Sequence, residues 1–298
     1  MSDEPIGFIG VGKIGAPMAR RLVDHGRPVH VFDVVAAARD QFAGQGRAVV
    51  CGSVDAVFEH ARTVLLSLPS PKALEDVLLG PSGERLGRGH TVIDLSTSGV
   101  QAARRVAEAL GRRGVEYVDA PVSGGVRGAA AGTLSVMVAA ETPVVERVRP
   151  LLAEIGKNIF HVGREAGQGQ AMKLVNNILS ATTLAATAEA MVVATKAGVA
   201  PKVALEVLNN SSGRSGATQD KFPRDVVTGK FDYGFTVEHM LKDASLFGDL
   251  ATTLHVPTFV CRQVIEMWRL ADSELAGSDD FTNLVRVIER WAGVEVRG

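Results

Sequence analysis

The stretch that most constrains the fold lies near the amino terminus, where an apolar run leads into spaced glycines. Ile6–Gly10 has the composition of a buried β-strand and continues directly into Gly10-Val11-Gly12-Lys13-Ile14-Gly15, after which a helical pattern begins. Glycines between a strand and a helix allow backbone conformations and close approaches that side chains prevent. A second apolar run follows and ends at Asp33. The chain is therefore predicted to begin with a β-α-β unit.

The same alternation of strands and helices continues through the first half of the chain. Apolar runs without a polar face are typical of strands that are covered on both sides. The predicted strands are Ile6–Gly10, Val29–Asp33, Ala48–Cys51, Thr63–Leu68, Thr91–Leu95, Glu116–Asp119, Leu134–Ala139 and Ile159–Val162. This pattern predicts an α/β fold of the Rossmann-like type, with a mainly parallel sheet.

Beyond Gly163 the strand patterns end and only helical patterns remain. The predicted helices are Gln170–Ala197, Pro201–Asn210, Thr236–Leu254, Thr258–Leu270 and a last one from Asp280 to Trp291. The first of these is long, rich in alanine and free of proline, which favours one continuous helix. We therefore expect two domains, an α/β domain over 1–163 and an all-α domain over 164–298, connected by the long helix.

The glycine turn and Asp33 together indicate a binding site for a nicotinamide dinucleotide. Backbone amides at the start of a helix bind a pyrophosphate, and an acidic residue about twenty positions later accepts hydrogen bonds from the ribose hydroxyls. Because a carboxylate repels a 2′-phosphate, NAD is favoured over NADP, although Arg39 could reach such a phosphate. The alternatives are a glycine turn that merely packs, and an Asp33 that only caps the next helix.

Two other stretches contain candidate site residues. Lys173 lies near the start of the long apolar helix, and Asn177 follows one turn later on the same face. Lysine is seldom buried without a partner or a function, although a lysine at a helix end also reaches solvent with its head group. The loop Ser123-Gly124-Gly125 exposes amides that suit a carboxylate, and an ordinary glycine turn is the alternative.

Charge and cysteine content exclude several classes of partner. The net charge is −1 and no block of like charges occurs, so we expect neither nucleic acid nor an anionic membrane as partner. Cys51 and Cys261 are far apart and no histidines form a ligand pair, so no metal site is predicted. The amino terminus lacks the features of a signal peptide, and Glu189 interrupts the apolar part of the long helix. We expect a cytoplasmic protein without a membrane span.

Four motifs, taken in order, resemble those of the β-hydroxyacid dehydrogenases, the family of 3-hydroxyisobutyrate dehydrogenase. They are GFIGVGKIGAPMARRL near the start, DAPVSGG at Asp119–Gly125, GQGQAMKLVNN at Gly167–Asn177 and GFTVEHMLKDASL at Gly234–Leu246. Ile14 stands where many members have Met, a change that leaves backbone contacts intact. The resemblance implies hydride transfer between a nicotinamide cofactor and a small 3-hydroxy acid, in a homodimer or homotetramer.

The resemblance also implies roles for individual residues. Lys173 would be the catalytic acid/base, and Asn177 would help to hold both Lys173 and the substrate. Specificity would lie around Ser211–Phe235, where Ser212–Gly216 is either a surface turn or the source of a cation for the pocket. The other implied contacts are Ser123, Gly124, Gly125, Phe235 and Asp243 for the substrate, and Leu68, Pro69, Thr97 and Lys242 for the cofactor. Without the resemblance, Lys242 and Asp243 would be interpreted as a solvated helix face.

Several alternatives share parts of this pattern. Reductases of tartronate semialdehyde, succinic semialdehyde or glyoxylate would use the same site. A decarboxylating enzyme of the 6-phosphogluconate type needs a longer helical domain, and imine reductases generally lack the lysine. A non-catalytic NAD-binding module is the alternative from another class, and Lys173, Asn177 and Ser123 argue against it.

Overall fold

Nine β-strands form one sheet in the first part of the chain, within residues 4–298 that this computed structural model describes. The strands are β1 (Ile6–Ile9), β2 (Val29–Phe32), β3 (Ala48–Val50), β4 (Thr63–Leu66), β5 (Thr91–Asp94), β6 (Glu116–Asp119), β7 (Val122–Ser123), β8 (Leu134–Ala139) and β9 (Gly156–Gly163). Their order is β3-β2-β1-β4-β5-β6-β8-β7, with β9 beside β8. The pairings among β1 to β6 are parallel, whereas β8 runs antiparallel to β6 and β7. The predicted fold class is confirmed.

Helices cover both faces of this sheet. They are α1 (Gly15–Asp24), α2 (Ala36–Asp40), α3 (Val54–His60), α4 (Pro71–Leu78), α5 (Val100–Gly111), α6 (Gly125–Ala131) and α7 (Thr142–Ile155). Phe8 and Leu65 pack into one core with Leu22 of α1, whereas their neighbours Ile9 and Leu66 pack into a second core. Successive side chains of a strand point to opposite faces, so strands buried on both sides have the unbroken apolar runs seen in the sequence.

The second part of the chain is entirely helical in the described residues. It contains α8 (Gln168–Lys196), α9 (Pro201–Asn209), a π-helical segment (Ala217–Val226), α10 (Val237–Thr253), α11 (Phe259–Glu274) and α12 (Leu284–Ala292). Its core includes Leu184 of α8, Phe222, Trp268 and Phe281. The chain divides into two compact units, of which the first ends at Lys173 and the second begins at Leu174. The domain limits predicted above stay a prediction.

Helix α8 is long and apolar enough to cross a membrane by length and composition. Ala181, Leu184, Ala188 and Met191 of this helix nevertheless belong to the hydrophobic core of the helical unit. A helix that places its apolar side chains among those of other helices is a core element of a folded domain.

Two parts of the sequence prediction needed correction. The last predicted helix begins as a 3₁₀ turn, Phe281–Asn283, before α12 starts at Leu284. The π-helical segment Ala217–Val226 was not predicted at all, because Pro223 and its charged neighbours hide the helical pattern. The residues before it, over 211–215, form a turn and coil, of which 211–214 are exposed. The two interpretations of Ser212–Gly216 stay predictions.

Candidate active site

The parallel strands of the first unit end in one row. Ile9 is in register with Phe32 and with Leu66, Leu66 with Asp94, and Asp94 with Asp119. Residues that follow these strands therefore share the carboxyl edge of the sheet, where open α/β sheets bind their ligands. The predicted cofactor residues of the first unit all lie just beyond this row.

The glycine turn after β1 is fixed by close backbone contacts at two of its glycines. A Cβ on Gly10 would lie 2.3 Å from the carbonyl oxygen of Ser67, and a Cβ on Gly15 would lie 1.9 Å from that of Gly10. Gly12, by contrast, is exposed and has no other atom within 4 Å of a Cβ position. Gly10 and Gly15 thus shape the turn, and Gly12 leaves room for a pyrophosphate at the start of α1. The turn fits a dinucleotide.

The carboxylate of Asp33 connects the glycine turn to the end of β2. Its Oδ2 accepts a hydrogen bond of 2.8 Å from the amide of Val11, and its Oδ1 one of 2.8 Å from the amide of Val35. Arg39 donates from Nη1 to the backbone oxygen of Asp33, with its guanidinium 5.8 Å from the ring centre of Phe32. Asp33 is half-buried and borders the turn, as a ribose-binding carboxylate must.

Asp94, at the end of β5, organises the loop that follows it. It is fully buried and accepts hydrogen bonds from the Ser96 amide, the Ser98 hydroxyl and the Tyr117 hydroxyl at 3.0, 2.8 and 2.9 Å. The pKa of this carboxyl is raised from its ordinary value, because the effect of burial outweighs that of the hydrogen bonds. The Ser96 hydroxyl in turn accepts from the Leu68 amide at 2.8 Å. This chain of contacts fixes two adjacent loops.

The residues predicted for the nicotinamide end lie in these two loops. Leu68 and Pro69 follow β4, and Thr97 follows β5 between the two serines that bind Asp94. Leu68 and Thr97 are half-buried and Pro69 is exposed. The structure therefore brings these predicted residues to one edge of the sheet.

Gln170 attaches the start of α8 to the same strand ends. Its Oε1 accepts from the amides of Ser98 and Gly99 at 2.9 and 3.0 Å. Its Nε2 donates to the Ser96 carbonyl at 3.1 Å and to Asp119 Oδ1 at 2.8 Å. All four hydrogen-bonding positions of the amide are used, and the side chain is completely buried. Gln170 is an anchoring residue of this edge that the sequence analysis did not single out.

Asp119 is the second anchor of this helix. Its Oδ2 accepts from the backbone amides of Gly167 and Gln170 at 2.8 and 3.1 Å. Burial raises the pKa of Asp119 to about 7, and the hydrogen bonds from Gln170 and Gly167 oppose this shift. Gly169 permits the close approach, since a Cβ there would lie 2.6 Å from the Met137 carbonyl oxygen. Gly169 of the GQGQ motif is thus explained by packing, and Gly167 by its φ of +93°, which side chains rarely adopt.

Lys173 lies one turn beyond Gln170 on α8. Only 8 % of it is exposed, and it is the last residue of the first unit. Because Gln170 and Asp119 fix the start of the helix, they also fix the position of Lys173 relative to the strand ends. Of the two alternatives stated for Lys173, the structure has the buried one, and the chemical role of the side chain stays a prediction.

The loop predicted to hold the substrate carboxylate follows β6. Ser123 ends β7, and its register partner on β8 is Ser135. Gly124 and Gly125 have φ values of +136° and +64°, which side chains rarely adopt. Gly125 has no atom within 4 Å of a Cβ position. The turn needs glycine for its backbone conformation and leaves open space beside it.

In the helical unit, the structure brings three predicted residues together. The Asn177 amide on α8 donates to Asp243 Oδ2 on α10, and Lys242 Nζ lies 3.1 Å from Asp243 Oδ1. Asn176 Nδ2 donates to Asn177 Oδ1 at 3.0 Å. Asp243 is only 2 % exposed, so this pair is not the solvated helix face that the residues alone suggested.

Phe235 belongs to an aromatic cluster of the helical unit. Its ring is 5.7 Å from the ring of Phe281, in an edge-on arrangement, and Phe281 also contacts Tyr233 and Trp268. Asp280 Oδ2 accepts from the Phe235 amide at 3.3 Å. Phe235 is therefore positioned by the ring of Phe281 and by the carboxylate of Asp280.

The comparisons with known proteins agree with this geometry. Residues 5–163 match a family described as the NAD binding domain of 6-phosphogluconate dehydrogenase. Residues 167–288 match one described as NAD-binding of NADP-dependent 3-hydroxyisobutyrate dehydrogenase. The first unit is thus a nicotinamide-dinucleotide-binding domain.

Three known proteins are similar over nearly their whole length. The 2-(hydroxymethyl)glutarate dehydrogenase of Eubacterium barkeri is 35% identical over 98% of this chain and 97% of its own length. The NAD-dependent L-serine dehydrogenase of Pseudomonas aeruginosa is 34% identical over 97% and 99%. The structure of Mycobacterium tuberculosis 3-hydroxyisobutyrate dehydrogenase with L-serine matches with a TM-score of 0.88 and 29% identity, over 96% of this chain and 99% of the other. The chain therefore belongs to the β-hydroxyacid dehydrogenase family.

Proposed function

We propose that this protein oxidises the hydroxyl group of a small 3-hydroxy acid with NAD, using Lys173 as the acid/base. The observation that carries the proposal is the placement of Lys173, buried and one turn beyond a helix start that Gln170 and Asp119 attach to the strand ends. A lysine held in this way beside a dinucleotide-binding edge is suited to proton transfer.

The proposed reaction divides into hydride and proton transfer. A nicotinamide cofactor, which the glycine turn Gly10–Gly15 and Asp33 would hold, would supply the hydride acceptor for the carbinol carbon, and that carbon would become a carbonyl carbon. Lys173 Nζ takes the hydroxyl proton, and in the reverse direction the protonated amine returns it to the forming alkoxide. Ser123, Gly124 and Gly125 hold the substrate carboxylate through their hydroxyl and amide groups. The products are an oxo acid, the reduced cofactor and a proton.

Residues of the helical unit complete the proposed roles. Asn177 and Asp243 are linked by a buried hydrogen bond, and Lys242 is paired with Asp243. In our proposal Asn177 positions Lys173 and the substrate, Lys242 contacts the cofactor, and Asp243 fixes both side chains. Phe235 provides an apolar wall for the substrate.

NAD is the preferred cofactor in this proposal. The half-buried Asp33 carboxylate beside the glycine turn would repel a 2′-phosphate, and Arg39 is engaged with the Asp33 backbone and the Phe32 ring. The L-serine dehydrogenase relative is described as NAD-dependent, whereas the second matching family is described as NADP-dependent. Turnover with NAD and turnover with NADP therefore have to be compared in one assay.

The experiment is a turnover assay over a panel of hydroxy acids with NAD⁺ and with NADP⁺. The panel holds 3-hydroxyisobutyrate, 2-(hydroxymethyl)glutarate, L-serine, glycerate and 4-hydroxybutyrate, and tartronate semialdehyde tests the reverse direction. We expect turnover with NAD⁺, and a loss of kcat of about 10²- to 10⁴-fold in Lys173→Ala. Lys202→Ala, on the exposed face of α9, is the control and retains activity. Unchanged turnover in Lys173→Ala would contradict the assigned role.

We also propose that the chain forms a homodimer or homotetramer in the cytoplasm. The helical unit leaves large apolar side chains exposed, including Phe259 at 83%, Val193 at 68% and Trp291 at 60%. Apolar surface of this kind commonly marks an interface between protein chains. Light scattering coupled to gel filtration distinguishes a monomer from these assemblies.

A further inference from the structure

Tyr117 is a polar side chain of the first unit to which the proposed mechanism assigns no role. It lies on β6, and its register partner on β5 is Val92, two residues before Asp94. Side chains two positions apart on a strand point to the same face of the sheet, so the phenol extends along that face toward Asp94. Its hydroxyl donates a hydrogen bond of 2.9 Å to Oδ2 of this fully buried carboxyl.

The hydroxyl of Tyr117 remains a hydrogen-bond donor at physiological pH. Burial and the nearby carboxyls of Asp94 and Asp119 raise the pKa of Tyr117 well above its ordinary value. A phenol that keeps its proton donates to a carboxylate permanently. The ring packs against the core cluster that contains Leu66 and Val92. Apolar packing therefore holds the ring, and Asp94 accepts from its hydroxyl.

Asp94 connects the phenol to the two loops predicted for the nicotinamide end. Its Oδ2 also accepts from the Ser98 hydroxyl at 2.8 Å, and its Oδ1 from the Ser96 amide at 3.0 Å. Thr97 lies between these two serines. The Ser96 hydroxyl accepts from the Leu68 amide at 2.8 Å. Both loops are therefore attached, directly or through one serine, to the carboxyl that accepts from the phenol.

The adenosine end of the proposed dinucleotide site is built from other residues. Asp33 follows β2, and its carboxylate accepts from the amides of Val11 and Val35. In the sheet, β1 and β4 lie between β2 and β5. Three strand spacings of about 4.8 Å separate Asp33 from Asp94, which is roughly 14 Å. A shift of the loop after β5 is thus expected to leave the adenosine end unchanged.

We propose that Tyr117 is a positioning residue for the nicotinamide ring, because through Asp94 it holds the loops of Leu68 and Thr97 in the conformation that binds this ring. The inference rests on the proposed function and adds a residue that acts only through another side chain. Without the phenol hydroxyl, a buried carboxyl loses a donor, and the loops have to move to compensate. Hydride transfer depends on the placement of the ring to within a fraction of an ångström, so it is sensitive to such a movement.

The test compares two ligands in Tyr117→Phe, which removes the hydroxyl and keeps the ring. ADP-ribose has the adenosine and pyrophosphate of the cofactor and lacks the nicotinamide. In calorimetric titrations we expect the Kd of NADH to rise about fivefold, and that of ADP-ribose to change less than about twofold. Equal changes for both ligands, or no change for either, would overturn the proposal.

Thr91→Val is the matched control. The Thr91 hydroxyl donates at 2.8 Å to Glu116 Oε2, so it joins the same two strands, β5 and β6, at their opposite ends. Thr91 is also buried. We expect this variant to bind NADH and ADP-ribose as the wild type does. If it weakened NADH selectively as well, the effect would come from the pairing of the strands, and the positioning role of Tyr117 would be refuted.

Ser98→Ala carries the test if Tyr117→Phe does not fold. It removes the other hydroxyl that donates to Asp94 Oδ2 and retains the phenol. We expect the same selective loss of affinity for NADH, with that for ADP-ribose unchanged. Wild-type affinity for both ligands in this variant would contradict the proposed connection between Asp94 and the nicotinamide loops.

The binding measurement separates this proposal from the proposed function. Both ligands are titrated without substrate, so the result does not depend on which acid is oxidised. If no hydroxy acid is oxidised but Tyr117→Phe weakens NADH alone, the proposed function fails and the positioning role stands. If a hydroxy acid is oxidised and Tyr117→Phe binds NADH as tightly as the wild type, the proposed function stands and the positioning role is refuted.

Discussion

The two units hold their functional groups in different ways. At the sheet edge of the first unit, backbone contacts and saturated hydrogen bonds fix each group, and the Gln170 amide uses all four of its hydrogen-bonding positions. In the helical unit, the Lys221 ammonium lies 5.5 Å from the ring centre of Tyr233 and 5.9 Å from that of Phe281, and burial lowers its pKa whereas Asp220 raises it. A saturated hydrogen-bond network determines the geometry of its groups, whereas cation–π contacts leave an ammonium more freedom of orientation.

The largest loss of stability is expected at Gly15, where close backbone contacts determine the geometry of the glycine turn. In Gly15→Ala the new Cβ would lie 1.9 Å from the Gly10 carbonyl oxygen, so the turn has to move. We expect a loss of about 3 kcal/mol in the free energy of unfolding, measured by urea denaturation.

Gly12→Ala is the matched control for this change. No atom lies within 4 Å of its Cβ position, so we expect a stability change below about 1 kcal/mol. The affinity for NAD, measured by calorimetry, should fall nevertheless, because the methyl group occupies the space proposed for the pyrophosphate. Equal stability losses in the two variants would contradict the assignment of separate roles.

The second effect concerns the hydrogen bonds of Gln170. Gln170→Ala leaves the amides of Ser98 and Gly99 and one oxygen of Asp119 without their partner. We expect the free energy of unfolding to fall by about 2 kcal/mol. We also expect kcat to fall more than the affinity for NAD, because Lys173 loses its anchor.

Gln168→Ala is the control on the same helix. Its side chain is exposed and accepts a single hydrogen bond from the Glu165 amide. We expect a stability change within about 0.5 kcal/mol and normal kcat. If Gln170→Ala behaved in the same way, the sheet edge would not depend on a saturated network.

The smallest effect is a pH dependence of stability from Asp119. Its pKa is about 7 in the folded protein, above the usual 3.8, so the folded state binds more protons than the unfolded state between these values. The free energy of unfolding should therefore decrease as pH rises from about 4 to about 7, and this contribution should be constant above that range.

The measurement compares wild type with Asp119→Asn, which cannot titrate, in denaturation experiments from pH 4.5 to pH 8. We expect the wild type to lose at least about 1 kcal/mol of stability relative to the variant as the pH rises over this range. A constant difference would indicate that Asp119 is ionised throughout, with its three N–H contacts outweighing burial.

Much of the first unit was predictable because its signals are local. The strand runs, the glycine turn and Asp33 are adjacent in sequence or separated by one helix, and the parallel register then brings their ends together. Gln170 was not predictable, because a glutamine in a helix has no distinctive pattern. Its partners at Ser98 and Asp119 are more than 50 residues away in the chain.

The helical unit shows the limit of sequence interpretation more clearly. Arg214 lies in an exposed turn, whereas Lys221 in the π-helical segment is only 6% exposed. In sequence, Lys221 lies between Asp220 and Phe222 and is typical of a solvated surface. In the folded protein it packs against the rings of Tyr233 and Phe281.

The sequence by itself determined the β-α-β start, the change from α/β to all-α structure, the glycine turn and the family, since these depend on local patterns and their order. Only the tertiary structure decided that Gln170 and Asp119 anchor the helix carrying Lys173, and that Lys221 packs against the rings of Tyr233 and Phe281. Burial and hydrogen-bond saturation are properties of the packed chain, because they depend on which distant groups meet and on whether water is excluded.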